Sequence, residues 1–193
     1  MLSEKGEKPC FGDYLHRRDI VAAYDARKLI GKADSCATGS LGRVETYEKI
    51  IVKLDYAVAS AGERLLRDSQ PGAALILQEA RILRSEAYLE LAKALRGMGE
   101  GEREKYAGGW DVFRVREKVY GKVPGMPRAP HSPSRLPALS RGMYSSEDPI
   151  AYYYAPTREE MARHDRELEQ YGKKRDEFFE KLAEICEKKA RAD

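Results

Sequence analysis

Histidines are the first residues in this sequence that could bind a metal or transfer protons, and there are three of them, His16, His131 and His164. None belongs to an HxxxH or ExxH pair, the spacings that bring two metal ligands to one face of a helix. Glu160 and His164 are separated by one residue too many for the Glu-x-x-His motif of metal sites in helix bundles. We therefore predict no metal, no cofactor and no catalytic residue, and we interpret His164 as a polar residue at a helix interface.

Cysteines are the next candidates, and Cys10, Cys36 and Cys186 form no CxxC pair. An odd number of widely spaced cysteines argues against a closed disulfide framework. Free thiols are the favoured interpretation, and a Cys10–Cys36 disulfide is the alternative. The loop "ATGSLGR" at 37–43 lacks the Lys-Ser/Thr of a phosphate-binding loop and the third glycine of a dinucleotide-binding turn. We interpret this loop as a helix C-cap.

The segment 123–157 carries seven of the nine prolines and shows no helical pattern. Its first four prolines recur at every third residue, which aligns their rings on one edge of a polyproline II helix. So long a segment without secondary structure is typical of a binding arm or of disorder. Its tyrosines and aliphatic side chains would be costly to leave in water, so we predict an extended strap that docks on neighbouring subunits.

Two sharper interpretations of the strap remain open. Pro130, Pro133 and Arg135 match P-x-x-P-x-R, which adaptor domains of the Src-homology-3 type bind through proline pockets and an acidic site. Ser132 precedes Pro133 and could be a target of a proline-directed kinase. The residues that we predict to contact partners lie in the strap and in the helix after it: Pro124, Pro127, Pro130, Pro133, Arg135, Tyr144, Tyr152, Tyr153, Tyr154, Leu168, Tyr171, Phe178 and Leu182.

Helices must position these contact residues, and the clearest helical pattern spans 44–68. Apolar residues follow one another there at alternating steps of three and four, the spacing of a seam between packed helices: Val44, Tyr47, Ile51, Leu54, Val58, Ala61 and Leu65. A second helix is predicted at about 72–98 and, because the connection is short, the two should form an antiparallel hairpin. Leu75, Ile82 and Leu89 form a second stripe on that helix, which predicts that it is covered on two sides.

The third strong helix is predicted at 158–191. Thr157 and Glu160 fit a capping box at its start. Its seam follows the same steps of three and four: Met161, His164, Leu168, Tyr171, Arg175, Phe178, Leu182 and Ile185. A weaker helix is predicted at 14–33 with Ile20, Val21, Tyr24 and Ile30 facing inward, whereas the pattern within 101–119 fits either a short helix or a strand.

Composition narrows the class of protein. Of the 193 residues, 42 % are hydrophobic and 35 % are charged, which is typical of a globular protein with solvated helices. Lys and Arg exceed Asp and Glu by only 35 to 32 and do not cluster, so we predict no nucleic-acid partner. No apolar run approaches the roughly 18 residues that cross a bilayer, so we predict a protein that is at most peripheral to a membrane.

These patterns predict an all-α protein with an antiparallel helical hairpin, a short N-terminal helix, an extended Pro/Tyr-rich strap and a long amphipathic C-terminal helix. We divide it into a helical body at 1–119, a strap at 120–157 and a terminal helix at 158–193. We expect a non-catalytic accessory subunit bound to other protein subunits, not a free monomer. The favoured setting is a peripheral position on a mitochondrial inner-membrane complex such as ATP synthase or the respiratory chain. The alternatives are a cytoskeletal or axonemal protein in the cytoplasm, a proline-motif adaptor, and a small helical enzyme.

Overall fold

The computed structural model of the chain describes residues 18–68, 71–109, 114–123, 125–131 and 157–192. Of these residues, 86 % are helical, and none of them forms a strand, which confirms the predicted all-α class. The helices are α1 (Arg18–Asp34), α2 (Leu41–Asp68), α3 (Pro71–Gly97), α4 (Glu100–Gly108), α5 (Arg114–Tyr120) and α6 (Arg158–Ala192). The ambiguous pattern within 101–119 therefore corresponds to helices α4 and α5. No helix among the described residues is long and apolar enough to span a membrane.

The chain forms two compact units. The first unit comprises Met1–Pro124 with Phe179–Asp193, and the second comprises Gly125–Phe178. Helix α6 thus begins in the second unit and ends in the first. The core of the first unit contains most of the large buried side chains, including Ile50, Ile51, Leu54, Leu91 and Leu182.

Helices α2 and α3 pack against each other in opposite directions. An Arg43 guanidinium nitrogen lies 3.2 Å from an oxygen of Glu90, and an Arg84 nitrogen lies 2.8 Å from Asp55. The start of α2 therefore lies beside the end of α3. Apolar side chains at the predicted spacing fill the space between them, and several are fully buried: Val44, Ile51, Leu54, Ala61, Ala80 and Leu91. Their burial stabilises this helix pair, because apolar area removed from water contributes about 25 cal/mol per Å².

Helix α1 packs on α2 through a different face from the predicted one, although Ile30 of the predicted set is half-buried. Its buried residues are Asp19, Ala22, Ala26 and Ala33. Ile20, Val21 and Tyr24 are exposed by 36 %, 38 % and 56 %, so the prediction that they face inward is wrong. Alanines permit a close approach of two helix backbones, and Asp19 secures it because both its carboxylate oxygens lie 2.8 Å from Nη1 of Arg64. The small side chains and one buried ion pair, not the larger apolar residues, thus determine which face of α1 packs on α2.

The connection from α1 to α2 is fixed by a close backbone contact. Gly39 has φ of +77°, and a Cβ atom at this position would lie 2.1 Å from the carbonyl oxygen of Gly97 at the end of α3. Helix α2 starts directly afterwards, where the backbone N–H of Leu41 donates to a carboxylate oxygen of Glu102 at 2.8 Å. The loop therefore holds the start of α2 and the end of α3 beside the first turn of α4.

Helix α6 begins with the predicted capping box. The N–H of Glu160 donates to Oγ1 of Thr157 at 3.2 Å, and the N–H of Thr157 donates to Oε2 of Glu160 at 2.8 Å, so this prediction is confirmed. The predicted seam is continuous only in its later part. Met161 and Leu168 remain exposed by 41 % and 42 %, whereas the seam from Tyr171 onward is largely buried.

The end of α6 lies along α3 within the first unit. Arg96 forms ion pairs with Glu180 and Glu187, and Oγ of Ser85 donates to the carbonyl oxygen of Ala190 at 2.8 Å. Since rising residue numbers in α6 meet falling numbers in α3, these two helices are antiparallel. Leu182 is fully buried in this arrangement.

Candidate functional site

A cluster of polar side chains lies inside the core of the first unit. Its centre is Glu48 of α2, whose Oε1 accepts hydrogen bonds from the hydroxyls of Tyr106 of α4, at 2.5 Å, and Tyr120 of α5, at 2.9 Å. The two hydroxyl oxygens are 3.3 Å apart. Glu48 is exposed by 3 %, Tyr106 by 0 % and Tyr120 by 4 %. One carboxylate thereby holds α4 and α5 on α2.

Arg116 of α5 supplies the positive charge of this cluster. Its Nε lies 3.8 Å from Oε1 of Glu48, and its Nη1 donates to the carbonyl oxygen of Tyr106 at 3.1 Å. The guanidinium carbon lies 3.7 Å from the centre of the Tyr106 ring, within the range of a cation–π contact. Burial makes such contacts strong because the surrounding dielectric constant is low. We refer to Glu48, Tyr106, Arg116 and Tyr120 as the core polar cluster.

Helix α6 closes the core polar cluster on another side. The rings of Phe179 and Tyr106 have centroids 5.5 Å apart, and Nζ of Lys189 donates to the carbonyl oxygen of Val119 at 2.6 Å. Cys186 is fully buried nearby. Four helices therefore meet at the cluster, and each of α2, α4 and α5 contributes a side chain to its hydrogen bonds.

Burial sets the protonation chemistry of the core polar cluster. It raises the pKa of Glu48 above the usual range of a glutamate, although the hydrogen bond from Tyr106 and the charge of Arg116 oppose this shift. Burial, followed by the charge of Glu48, also raises the pKa of Tyr106 well above its usual value. Every member of the core polar cluster is at least 96 % buried, so the cluster is shielded from solvent. Its hydrogen bonds connect α4 and α5 to α2.

The two described cysteines are free thiols with different surroundings. Cys36 lies partly exposed after α1, whereas Cys186 is fully buried in α6. Burial raises the pKa of the Cys186 thiol from 9.0 to about 12. Cys10 lies outside the described residues. Cys36, its partner in the alternative Cys10–Cys36 disulfide, is a free thiol in this structure.

We expect Cys186 to resist thiol reagents in the folded protein, because the thiolate is the reactive form and its pKa is about 12. In a Cys10→Ser background, a chromogenic disulfide should label one thiol, Cys36, rapidly, and a second only after unfolding. The raised pKa also means that the contribution of Cys186 to stability is complete below pH 9 and is lost as the pH rises toward 12.

The matched control for thiol labelling is Cys36→Ser in the same background, which should abolish the fast phase and leave the slow one. Urea titrations at increasing alkaline pH would follow the loss of unfolding free energy. Rapid labelling of Cys186 without denaturant would contradict its burial.

Among the described residues of the first unit, two apolar surfaces face solvent. The α1–α2 surface consists of Ile20, Val21, Tyr24, Val52 and Tyr56. Part of it forms a shallow cleft of about 540 Å³ between the two helices, with Lys53 and Asp25 paired at 2.8 Å on its edge. Tyr56 is exposed by 47 %.

The α3 stripe is the second such surface and consists of Leu75, Ile82 and Leu89, which are exposed by 69 %, 53 % and 42 %. Within the described part of the chain, this side of the helix is therefore not covered. A shallow cleft of about 550 Å³ lies beside Ile82 and is also lined by Leu65 and Leu77. Three large exposed side chains on one helix face are a surface that a partner could bury.

The predicted contact residues are not gathered into one site by the structure. Leu168 is exposed, Tyr171 and Phe178 are buried, and Leu182 lies in the core of the first unit. Pro127 and Pro130 are half-buried residues of the segment 125–131, which has no regular secondary structure. The remaining ones lie outside the described residues: Pro124, Pro133, Arg135, Tyr144, Tyr152, Tyr153 and Tyr154. Partner binding by all these residues stays a prediction.

Sequence reasoning missed the core polar cluster. Its one available signal was Glu48, which is four residues after Val44 and three before Ile51 and so shares their buried face. Tyr106 and Arg116 gave no such signal, because α4 and α5 are too short to show a periodic pattern.

Among the described residues, no group of three or more His, Cys, Asp or Glu side chains could hold a metal ion. Comparison of the chain with protein family models, with curated proteins and with solved structures finds no match.

Proposed function

We propose that this chain is a non-catalytic accessory subunit of a larger protein assembly and that the α1–α2 surface binds a partner. The supporting observation is the exposure of Val21, Tyr24 and Tyr56 on adjoining helices, by 38 %, 56 % and 47 %. Tyrosine is enriched at protein interfaces because it offers a large contact area and loses little conformational entropy. The buried alanines of α1 explain why its larger apolar side chains are free to face outward.

The charges around the α1–α2 surface indicate the chemistry of the partner. Arg18 lines the cleft, and Lys53 is paired with Asp25 beside Val21 and Tyr56. An amphipathic segment with apolar side chains for the cleft and an acidic residue for Arg18 would complement this surface. We extend the proposal to a peripheral subunit of a mitochondrial membrane complex, by analogy with accessory subunits that combine helix pairs with straps.

Native size measurement tests this proposal. Tagged chain expressed in its own cells should elute well above the mass of a monomer or dimer of the 21.8 kDa chain, with stoichiometric partners. Tyr56→Glu should release it from the assembly, because a carboxylate is costly to bury and removes the apolar contact area of the tyrosine ring. Lys118→Glu, at an exposed position of α5, is the matched control and should leave the elution unchanged.

Photo-crosslinking would then locate the contact. A benzoylphenylalanine at position 56 should crosslink to one defined partner, and the same group at position 118 should not. Elution of the wild-type chain as a free monomer in gentle native extracts would overturn the proposal.

A further inference from the structure

The exposed apolar residues of α3 repeat at an interval of seven. Leu75, Ile82 and Leu89 thereby follow one line along the helix, which is the spacing of a seam between paired helices. All three keep a large exposed fraction, and Leu75 keeps 69 %. The side of α3 that packs on α2 is a different one and includes the fully buried Ala80 and Leu91. The row of Leu75, Ile82 and Leu89 therefore stays exposed on α3, beside the contacts that Ser85 and Arg96 make with α6.

Two charged residues flank this row. Arg81 directly precedes Ile82, and Glu86 follows it by four residues; both side chains are exposed. Neither has an ion-pair partner among the residues that the structure describes. The neighbouring Arg84 differs, because its Nη1 lies 2.8 Å from Asp55 of α2. Arg81 and Glu86 are thus available for contacts with another molecule.

The spacing of these two charges is the one that pairs two identical helices. In a parallel helix pair, the residue just before a seam position faces the residue five places later on the other helix. Arg81 of one copy would face Glu86 of the second copy, and Glu86 of the first would face Arg81 of the second. A two-fold axis makes both contacts at once. In an antiparallel pair each flank faces its own counterpart, and these reciprocal contacts are absent.

We infer that the α3 stripe is a self-association surface on which two copies of the chain pack their α3 helices in parallel. Leu75, Ile82 and Leu89 form the buried seam, and two Arg81–Glu86 pairs fix the register. Gln78 lies on the same side of the helix between the first two seam residues and would meet its own counterpart, as polar seam residues do when they set register at a cost in stability.

The expected contact is small. Roughly four turns of helix bury on the order of 1,000 Å² in total, below the 1,200 Å² of most stable specific interfaces. The pair should therefore be in equilibrium with the monomer at micromolar concentrations. This inference does not depend on the proposed partner of the α1–α2 surface, which lies on other helices.

Sedimentation equilibrium of the full chain tests the inference. Wild type should show a monomer–dimer equilibrium that high salt weakens. Arg81→Glu alone and Glu86→Arg alone should each weaken association about tenfold or more, because like charges then face each other twice. An equimolar mixture of these two variants should regain association as a heterodimer, and so should the double variant Arg81→Glu/Glu86→Arg by itself.

Orientation is tested by cysteine crosslinking. With Cys10 and Cys36 changed to serine, Gln78→Cys should form a disulfide-linked dimer on mild oxidation, since residue 78 meets its counterpart only in a parallel pair. Lys118→Cys is the matched control and should stay monomeric. A wild-type chain that is monomeric throughout, or single charge variants that associate as wild type does, or a mixture that fails to recover would overturn the inference. Circular dichroism of each variant confirms that the fold is retained.

Discussion

Replacement of Gly39 by alanine should destabilise the first unit by about 4 kcal/mol, at the upper end of single substitutions. The left-handed backbone at φ +77° costs a non-glycine residue roughly 1–2 kcal/mol. The new Cβ would in addition lie 2.1 Å from the carbonyl oxygen of Gly97, a backbone atom that cannot turn aside as a side chain can. Either the loop or the end of α3 must shift. Urea unfolding followed by circular dichroism measures the loss.

Gly62→Ala is the matched control for Gly39→Ala. Gly62 lies inside α2, and a Cβ there would meet nothing within 4 Å. Alanine should therefore stabilise the helix by about 0.5–1 kcal/mol, because it removes backbone freedom from the unfolded chain. Similar stabilities for the two variants would contradict the close contact between Gly39 and Gly97.

Replacement of Glu48 by alanine should cost about 3–5 kcal/mol, the range for removal of one partner from a buried ion pair. Two buried tyrosine hydroxyls lose their acceptor, and the positive charge of Arg116 loses the carboxylate 3.8 Å away. Glu48→Gln keeps the side-chain volume and an acceptor oxygen, so it should cost only about 1–2 kcal/mol. Equilibrium unfolding of both variants against wild type gives the two differences.

The pH dependence of Glu48→Gln separates charge from packing. Burial raises the pKa of Glu48, so the folded state holds this proton more tightly than the unfolded chain does. Its contribution to stability is then complete below the unfolded pKa of 4.5 and is lost as the pH rises through the folded pKa. Glutamine has no such dependence, so the advantage of wild type over Glu48→Gln should shrink between acidic and neutral pH. An advantage that grows with pH would show that the ionised carboxylate is the favoured form.

Long periodic helices were predictable because their pattern repeats over many turns. Val44, Ile51 and Leu54 repeat on one face of α2, and burial follows that repeat. The start of α6 was predictable for a local reason, since Thr157 and Glu160 satisfy each other's backbone N–H groups without help from the rest of the chain.

Tertiary contacts decided the features that sequence did not reveal. In α1 the large residues Val21 and Tyr24 suggested the inward face, but the ion pair of Asp19 with Arg64 and the close fit of small alanines determined the orientation. In α3 the Leu75–Ile82–Leu89 repeat was visible, yet periodicity alone does not show whether a seam is filled within the chain. The core polar cluster depends on residues far apart in sequence, which no local pattern relates.

The passage of α6 into the first unit has a consequence for biosynthesis. Ser85 bonds to Ala190, 105 residues later, and Phe179 packs on Tyr106. A nascent chain whose helix α6 is still inside the ribosome cannot complete this core. The sides of α3 and α4 that α6 covers therefore remain exposed to water until α6 has emerged. Contacts between distant residues slow folding because a long loop must close first. The first unit should therefore reach its native state only once α6 has left the ribosome, and chaperones have that interval in which to act.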